Sequence, residues 1–255
     1  PLNTALYAQT ETQLSDTLSI SLGLRVDQFD IDYTDSNGFE ETVDDTLVGG
    51  KMVLKYAIQS ASIYTSISRG YKAGGFNPDE RVTPQRRLFQ PEYNWNYEVG
   101  VKGQAFDNTL SLRFAAFYME RENTQVSDFD VQVREDGTPD FIDIIANADV
   151  GTNKGLEFEA DWQATDSLEL ALNYGYLDAT FGRYELADGT QIEKQQQAQA
   201  PKHTFNLSAL GYLKEGLSIR VGADVKDEYR FSDGHDVVSP LSVIVNAQLR
   251  FEWQD

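Results

Sequence analysis

The stretch TLSLRFAAFYM, Thr109–Met119, alternates without a break. Leu110, Leu112, Phe114, Ala116 and Tyr118 fall on one side, and Ser111, Arg113, Ala115, Phe117 and Met119 on the other. Period two is the signature of a strand with an apolar and a polar face. The same rhythm returns along the chain. Leu156, Phe158, Ala160 and Trp162 alternate with Glu157, Glu159 and Asp161. Leu217, Ile219, Val221, Ala223 and Val225 alternate with Ser218, Arg220, Gly222, Asp224 and Lys226. From Leu241 to Trp253, Val243, Val245, Ala247, Leu249 and Phe251 oppose Ser242, Ile244, Asn246, Gln248, Arg250 and Glu252.

Alternation also occurs in soluble sandwiches, so length and composition must decide. Several runs reach about 10–15 residues, against the usual five or six of globular sheets. A tilted membrane strand needs roughly 9–11. The 255 residues hold 13 Tyr, 14 Phe and 3 Trp, and no cysteine. There is thus no disulfide framework and no thiolate metal site. No apolar run is long enough for a transmembrane helix. With 41 acidic against 21 basic residues, the chain has no positive surplus for a nucleic-acid backbone. The combination points to an all-β fold, an antiparallel transmembrane β-barrel meander.

The connections give the topology. About eleven strands are expected, at 4–14, 18–33, 46–58, 61–70, 93–106, 109–123, 150–163, 168–180, 202–213, 217–229 and 240–253. Short turns at 15–17, 59–60, 107–108, 165–167 and 214–216 alternate with long loops at 34–45, 71–92, 124–149, 181–201 and 230–239. Tight turns at one end and long loops at the other are the outer-membrane pattern, turns to the periplasm and loops outside. An odd strand count is unusual for a single-chain barrel. The chain begins at Pro1 without an initiator Met or signal peptide. One domain, 1–255, truncated at both ends, is therefore expected. Leu110, Leu112, Phe114, Leu170, Leu172, Val221, Ala223, Val245 and Leu249 should meet lipid, and Arg113, Glu157, Glu159, Arg220, Asp224 and Arg250 the interior.

Several segments carry a family likeness. YTSISRGYKAGGFNP (64–78) reads as a strand rising into an extracellular loop, and QPEYNWNYEVGVKGQAFDNTLSLRFAAFYME (90–120) as the hairpin after it. With NADVGTNKGLEFEADWQATDSLELALNYGYLDATF, APKHTFNLSALGY and PLSVIVNAQLRFEWQD, the chain resembles the barrel of TonB-dependent outer-membrane receptors over nearly its whole length. The resemblance implies about half of a 22-stranded barrel, without the N-terminal plug, the TonB-contacting box or the terminal aromatic residue. It implies energised uptake of a ferric siderophore or similar scarce ligand across the bacterial outer membrane. The implied partners are that ligand, the TonB complex through the plug, outer-membrane lipid and lipopolysaccharide, with no nucleic acid, no cofactor and no enzymatic chemistry. A passive porin-like channel, a barrel enzyme with a Ser/His or Asp/His pair at its rim, and a soluble all-β binding module are the alternative readings.

The candidate ligand site is the loop 71–92, with Tyr71, Phe76, Arg81, Arg86 and Arg87. It holds the chain's one arginine cluster, suited to an anionic complex, and its rings add flat apolar surface. The competing reading pairs these arginines with acidic loops or lipid phosphates. Arg69, Tyr71 and Lys72 are expected at headgroup and vestibule height, and Gly74-Gly75 to permit close packing and positive φ. His203 and His235 lack a catalytic companion, which leaves them as interfacial and loop residues. Asp128, Asp130, Asp136 and Asp140 could supply oxygen ligands for calcium, but their spacing is not that of an EF-hand. The segment 191–200 reads as a mobile loop, with no chemistry assigned.

Overall fold

The computed structural model describes residues 2–252 except 35, 37, 39, 186–190 and 234–236. His235, Trp253 and the terminal Gln254-Asp255 lie outside the described residues. Eleven long strands form one sheet: β1 (Leu2–Gln13), β2 (Leu18–Thr34), β3 (Glu40–Ile58), β4 (Ala61–Lys72), β5 (Glu92–Ala105), β6 (Leu110–Val133), β7 (Pro139–Thr165), β8 (Leu168–Phe181), β9 (His203–Lys214), β10 (Leu217–Lys226) and β11 (Ser242–Phe251). Each pairs antiparallel with its neighbour in the chain, so the meander has no crossover. The sheet is open. Leu6 pairs with Val26 on one edge and Ala247 with Val221 on the other, not with each other.

The register explains the alternation. One row runs Leu18–Tyr56–Ile63–Val101–Phe114–Phe158–Tyr174–Phe205–Val225–Val243 across ten strands. The adjacent row on the other face runs Ser62–Lys102–Arg113–Glu159–Asn173–Asn206–Asp224. Within it Arg113 donates to Glu159 at 2.6 Å, and Asn206 to Asp224 at 2.6 Å. The large side chains of the apolar face stay exposed: Phe114 at 42 % and Val245 at 69 %. A face this apolar and this uncovered fits hydrocarbon rather than water. The expected lipid-side and interior residues separate as the alternation requires, because a shift of one residue would have exchanged the two sets.

The buried apolar residues lie elsewhere. Val82, Ile142 and Ile144 form one cluster, and Val126, Ala148 and Phe181 another. Both sit at the end opposite the tight turns. Among the described residues, both clusters thus belong to the long-loop end rather than to the wall of the sheet.

Three expected boundaries are corrected. The stretch 124–149 is not a loop: β6 continues to Val133 and β7 starts at Pro139, leaving a turn at 134–138. Likewise β3 begins at Glu40, inside the expected loop 34–45. In both places Asp, Glu and Asn hid the strand, since exposed ladder positions tolerate the charge. At 217–229 the strand stops at Lys226, and Tyr229–Arg230 pairs instead with Val238–Ser239.

Candidate functional site

The tall hairpin of β6 and β7 is the scaffold of the candidate site. A membrane span uses about ten residues of a strand, whereas β6 has 24 and β7 has 27. The surplus stands beyond the apolar band. Loop 73–91 folds against it. Within the loop, Gly75–Phe76 pairs with Leu88–Phe89, and a single helical turn, α1 (Pro84–Arg87), begins with proline where no backbone donor is needed.

Asn77 joins loop to hairpin. Its Nδ2 donates to the Ile145 carbonyl at 2.9 Å, and the Ile145 N–H donates to its Oδ1 at 2.8 Å. The same Nδ2 donates to the Arg86 carbonyl at 2.8 Å. The side-chain amide thus takes the place of a strand partner. Gln125 Nε2 donates to the carbonyls of Ala73 and Gln90, and Asn147 Oδ1 accepts from the Gln90 N–H at 2.7 Å. Val82 then seals the contact against Ile142 and Ile144.

The five candidate residues are now placed. Tyr71 donates through its hydroxyl to Asp27, which also receives Arg25 at 2.7 Å. Phe76 is half-buried, its ring 4.3 Å from that of Tyr33. Arg81 binds Asp79 at 2.6 Å and Asp140 at 2.8 Å, with half its side chain still exposed. Arg86 lies in the last turn of α1. Arg87 is 6 % exposed and donates to the Glu80 carbonyl at 2.7 Å. The cluster is therefore not three equal cations at the surface: Arg87 holds the loop's shape, and Arg81 faces outward between two carboxylates. Gly74 and Gly75 serve close packing, since a Cβ would lie 2.8 Å from the Phe89 carbonyl oxygen at the first and 2.7 Å from the Phe89 ring at the second. Neither has positive φ, which corrects that expectation.

The electrostatics follow from the pairing. The Arg81 guanidinium beside Asp79 lowers the Asp79 carboxyl to about 2. Arg134 holds Asp140 below the usual aspartate range, with Arg81 adding to it. Asp136 is lowered by the Thr138 hydroxyl and N–H. Among the described residues no group of three or more His, Cys, Asp or Glu gathers to hold an ion. His203 stands at the start of β9, its Nδ1 2.9 Å from the Tyr174 hydroxyl.

A second polar group lies at the same end, on the polar face. Arg121 donates to Glu92 at 2.7 Å, and the other oxygen of Glu92 accepts the Gln125 N–H at 2.7 Å. Gln197 reaches down from the segment after β8 to Asn153 at 2.9 Å. Gln197 falls in the stretch that reads as a featureless polar loop. Only its 44-residue separation from Asn153 explains why no local pattern announces it. Together these groups shape a polar mouth at the long-loop end of the sheet.

Comparison with known proteins adds the relatives. A family model described as "TonB dependent receptor-like, beta-barrel" matches residues 2–254. The chain is 24% identical over 251 residues to a probable TonB-dependent siderophore receptor, PiuA, of Acinetobacter baumannii, covering 89% of this chain and 31% of that protein. The crystal structure of the A. baumannii siderophore receptor PiuA superposes with a TM-score of 0.74 at 20% identity, covering 99% of this chain and 37% of the other. The ferric yersiniabactin uptake receptor FyuA of Yersinia pestis gives 0.73 at 19%, covering 97% and 37%. The chain spans about a third of the length of these relatives.

Proposed function

Because this chain belongs to the TonB-dependent receptor β-barrel family, we propose that it is part of the wall and outer mouth of a bacterial outer-membrane receptor that imports a ferric siderophore or a similar metal chelate. Residues 1–255 form one domain and supply half of a 22-stranded barrel. A plug elsewhere in the protein gates the interior and answers to TonB. The activity is binding and translocation, with no covalent chemistry on the ligand. The observation that carries this reading is the register: ten strands share one apolar row whose members are exposed or half-buried, and the polar face leads to a mouth built by loop 73–91 on the tall hairpin. Names of relatives support the ligand class, since PiuA is a siderophore receptor and FyuA takes up ferric yersiniabactin. The family match favours an energised receptor over a passive channel.

Within the mouth, Tyr71, Phe76, Arg81, Arg86 and Arg87 form the ligand-contacting loop. Phe76 and Arg81 present ring and cation, Arg86 lies beside them, and Tyr71 and Arg87 keep the loop in place. The test is ligand binding by the full-length parent protein. An anionic ferric chelate should bind Phe76→Ala and Arg81→Gln at least about fivefold more weakly, about 1 kcal/mol, at fixed ionic strength. Arg87→Lys should change loop protection first. Affinity within about twofold in both surface variants would move the site elsewhere in the mouth.

A further inference from the structure

The apolar face has a gap on β3. Gly50 lies in the row Ala8–Leu24–Gly50–Arg69–Trp95 and offers no side chain. Leu22, Leu24, Val48, Met52 and Ile67 stand around it and leave a groove of about 590 Å3. That is within the range of about 300–1,000 Å3 that holds small ligands. The glycine is enforced by the backbone, because a Cβ there would sit 2.8 Å from the Gly23 carbonyl oxygen. The groove is thus a fixed feature of the β2–β3 pairing.

Its outer rim is cationic. The Arg69 guanidinium lies 4.1 Å above the Tyr93 ring and 5.8 Å from that of Trp95. Its Nη1 donates to the Val48 carbonyl. Among the described residues no carboxylate pairs with it. Along its row toward β8 follow Trp95, Glu120, Thr152 and Thr180, where the apolar band has ended. Arg69 therefore stands where the apolar band gives way to polar residues, with its row partner Gly50 at the floor of the groove. In a chain of net charge −20, a cation left outside the acidic pairings is complementary to an anion that comes from the membrane. Its planar fork suits phosphate, and the two rings suit the interface.

We propose that this groove holds one acyl chain of a phosphate-bearing glycolipid of the outer leaflet, with the lipid phosphate on Arg69. The site rests on the apolar face meeting lipid, as read above, and is separate from the ligand mouth. The test uses the full-length parent protein in detergent, titrated with bis-phosphorylated lipid A or with its phosphate-free form and read by native mass spectrometry. The folded state is checked by heat-modifiable migration, which reports on the barrel independently of the groove. Wild type should bind one phosphorylated lipid. Arg69→Gln should weaken it about fivefold, the weight of one cation near an anionic surface. Ile67→Trp, which fills the groove from an already lipid-facing position, should remove it. Phosphate-free lipid should bind wild type as weakly as the phosphorylated lipid binds Arg69→Gln. Val243→Trp, on the same face at the far edge, should bind as wild type does. Equal binding by wild type and Ile67→Trp, equal binding of the two lipids, or loss in folded Val243→Trp would each overturn the proposal.

Discussion

Asn77 and Ile145 are 68 residues apart, yet the side-chain amide of one satisfies both backbone groups of the other. Replacing Asn77 with Asp sets an acceptor against the Ile145 carbonyl. Replacing it with Ala leaves a part-buried N–H and C=O without their partner, at about 1 kcal/mol of local stability. Hydrogen exchange should quicken over 75–90 and 142–146, while the wall strands keep their protection. Unchanged exchange in the loop would mean that the Val82 contact alone secures it.

Gly100 faces Tyr64 across β4 and β5, and a Cβ there would lie 2.5 Å from the Tyr64 ring. The ring covers the glycine and carries its hydroxyl to Glu98 at 2.6 Å. Gly100→Val should displace it and cost about 1–3 kcal/mol, read as a lower unfolding midpoint in detergent. In a Tyr64→Ala background the same change should cost less than about 1 kcal/mol, because the two sites share one space. Additive costs would contradict the ring-over-glycine account.

Phe114 and Ala115 are consecutive but face opposite sides of the sheet. Phe114→Arg should cost about 2–4 kcal/mol in folding into lipid vesicles, the weight of a mid-membrane charge on the lipid face. Ala115→Arg lies opposite Glu157 on the polar face and should be close to neutral. Denaturant titration of folding into vesicles compares them. Equal penalties would remove the distinction between the faces.

Acid should release the mouth before the wall. Asp79 is lowered to about 2 by Arg81, and Asp140 is lowered by Arg134. A depressed carboxyl contributes fully above its ordinary value, near 3.8, and loses that contribution as the pH falls through the folded value. A spin label at Gln85→Cys, in this cysteine-free chain, should be immobile at pH 5 and gain mobility between about pH 4 and pH 2. Asp140→Asn should shift part of that gain to pH 5. A label indifferent to pH across this window would show that these pairs do not hold the loop.

The wall was legible in the sequence because its rule is local. Leu112, Phe114 and Ala116 declare their face by spacing alone. The upper parts of β6 and β7 were not legible. There Asp140, Asp143 and Asn147 interrupt the apolar rhythm, and Ile142 and Ile144 point at a loop some 60 residues upstream rather than at lipid. The candidate loop was found by its arginines, but their roles could not be. Nothing beside Arg87 in the chain says that its guanidinium is enclosed by the carbonyls of its own loop. Arg69 reads from the sequence as a headgroup-level residue, but the groove beside it depends on Gly50, on a strand paired to it only after folding.

The two apolar clusters at the long-loop end have a consequence for how such a protein can change over generations. Val82 with Ile142 and Ile144, and Val126 with Ala148 and Phe181, give the mouth cohesion of its own. The wall below relies on backbone ladders and the surrounding hydrocarbon. Substitutions in the mouth therefore draw on a separate reserve of stability and leave the membrane-spanning register intact. Under the proposed function, selection for a different chelate would fall on residues around Phe76 and Arg81 and spare Asn77 and Val82, which clasp the hairpin.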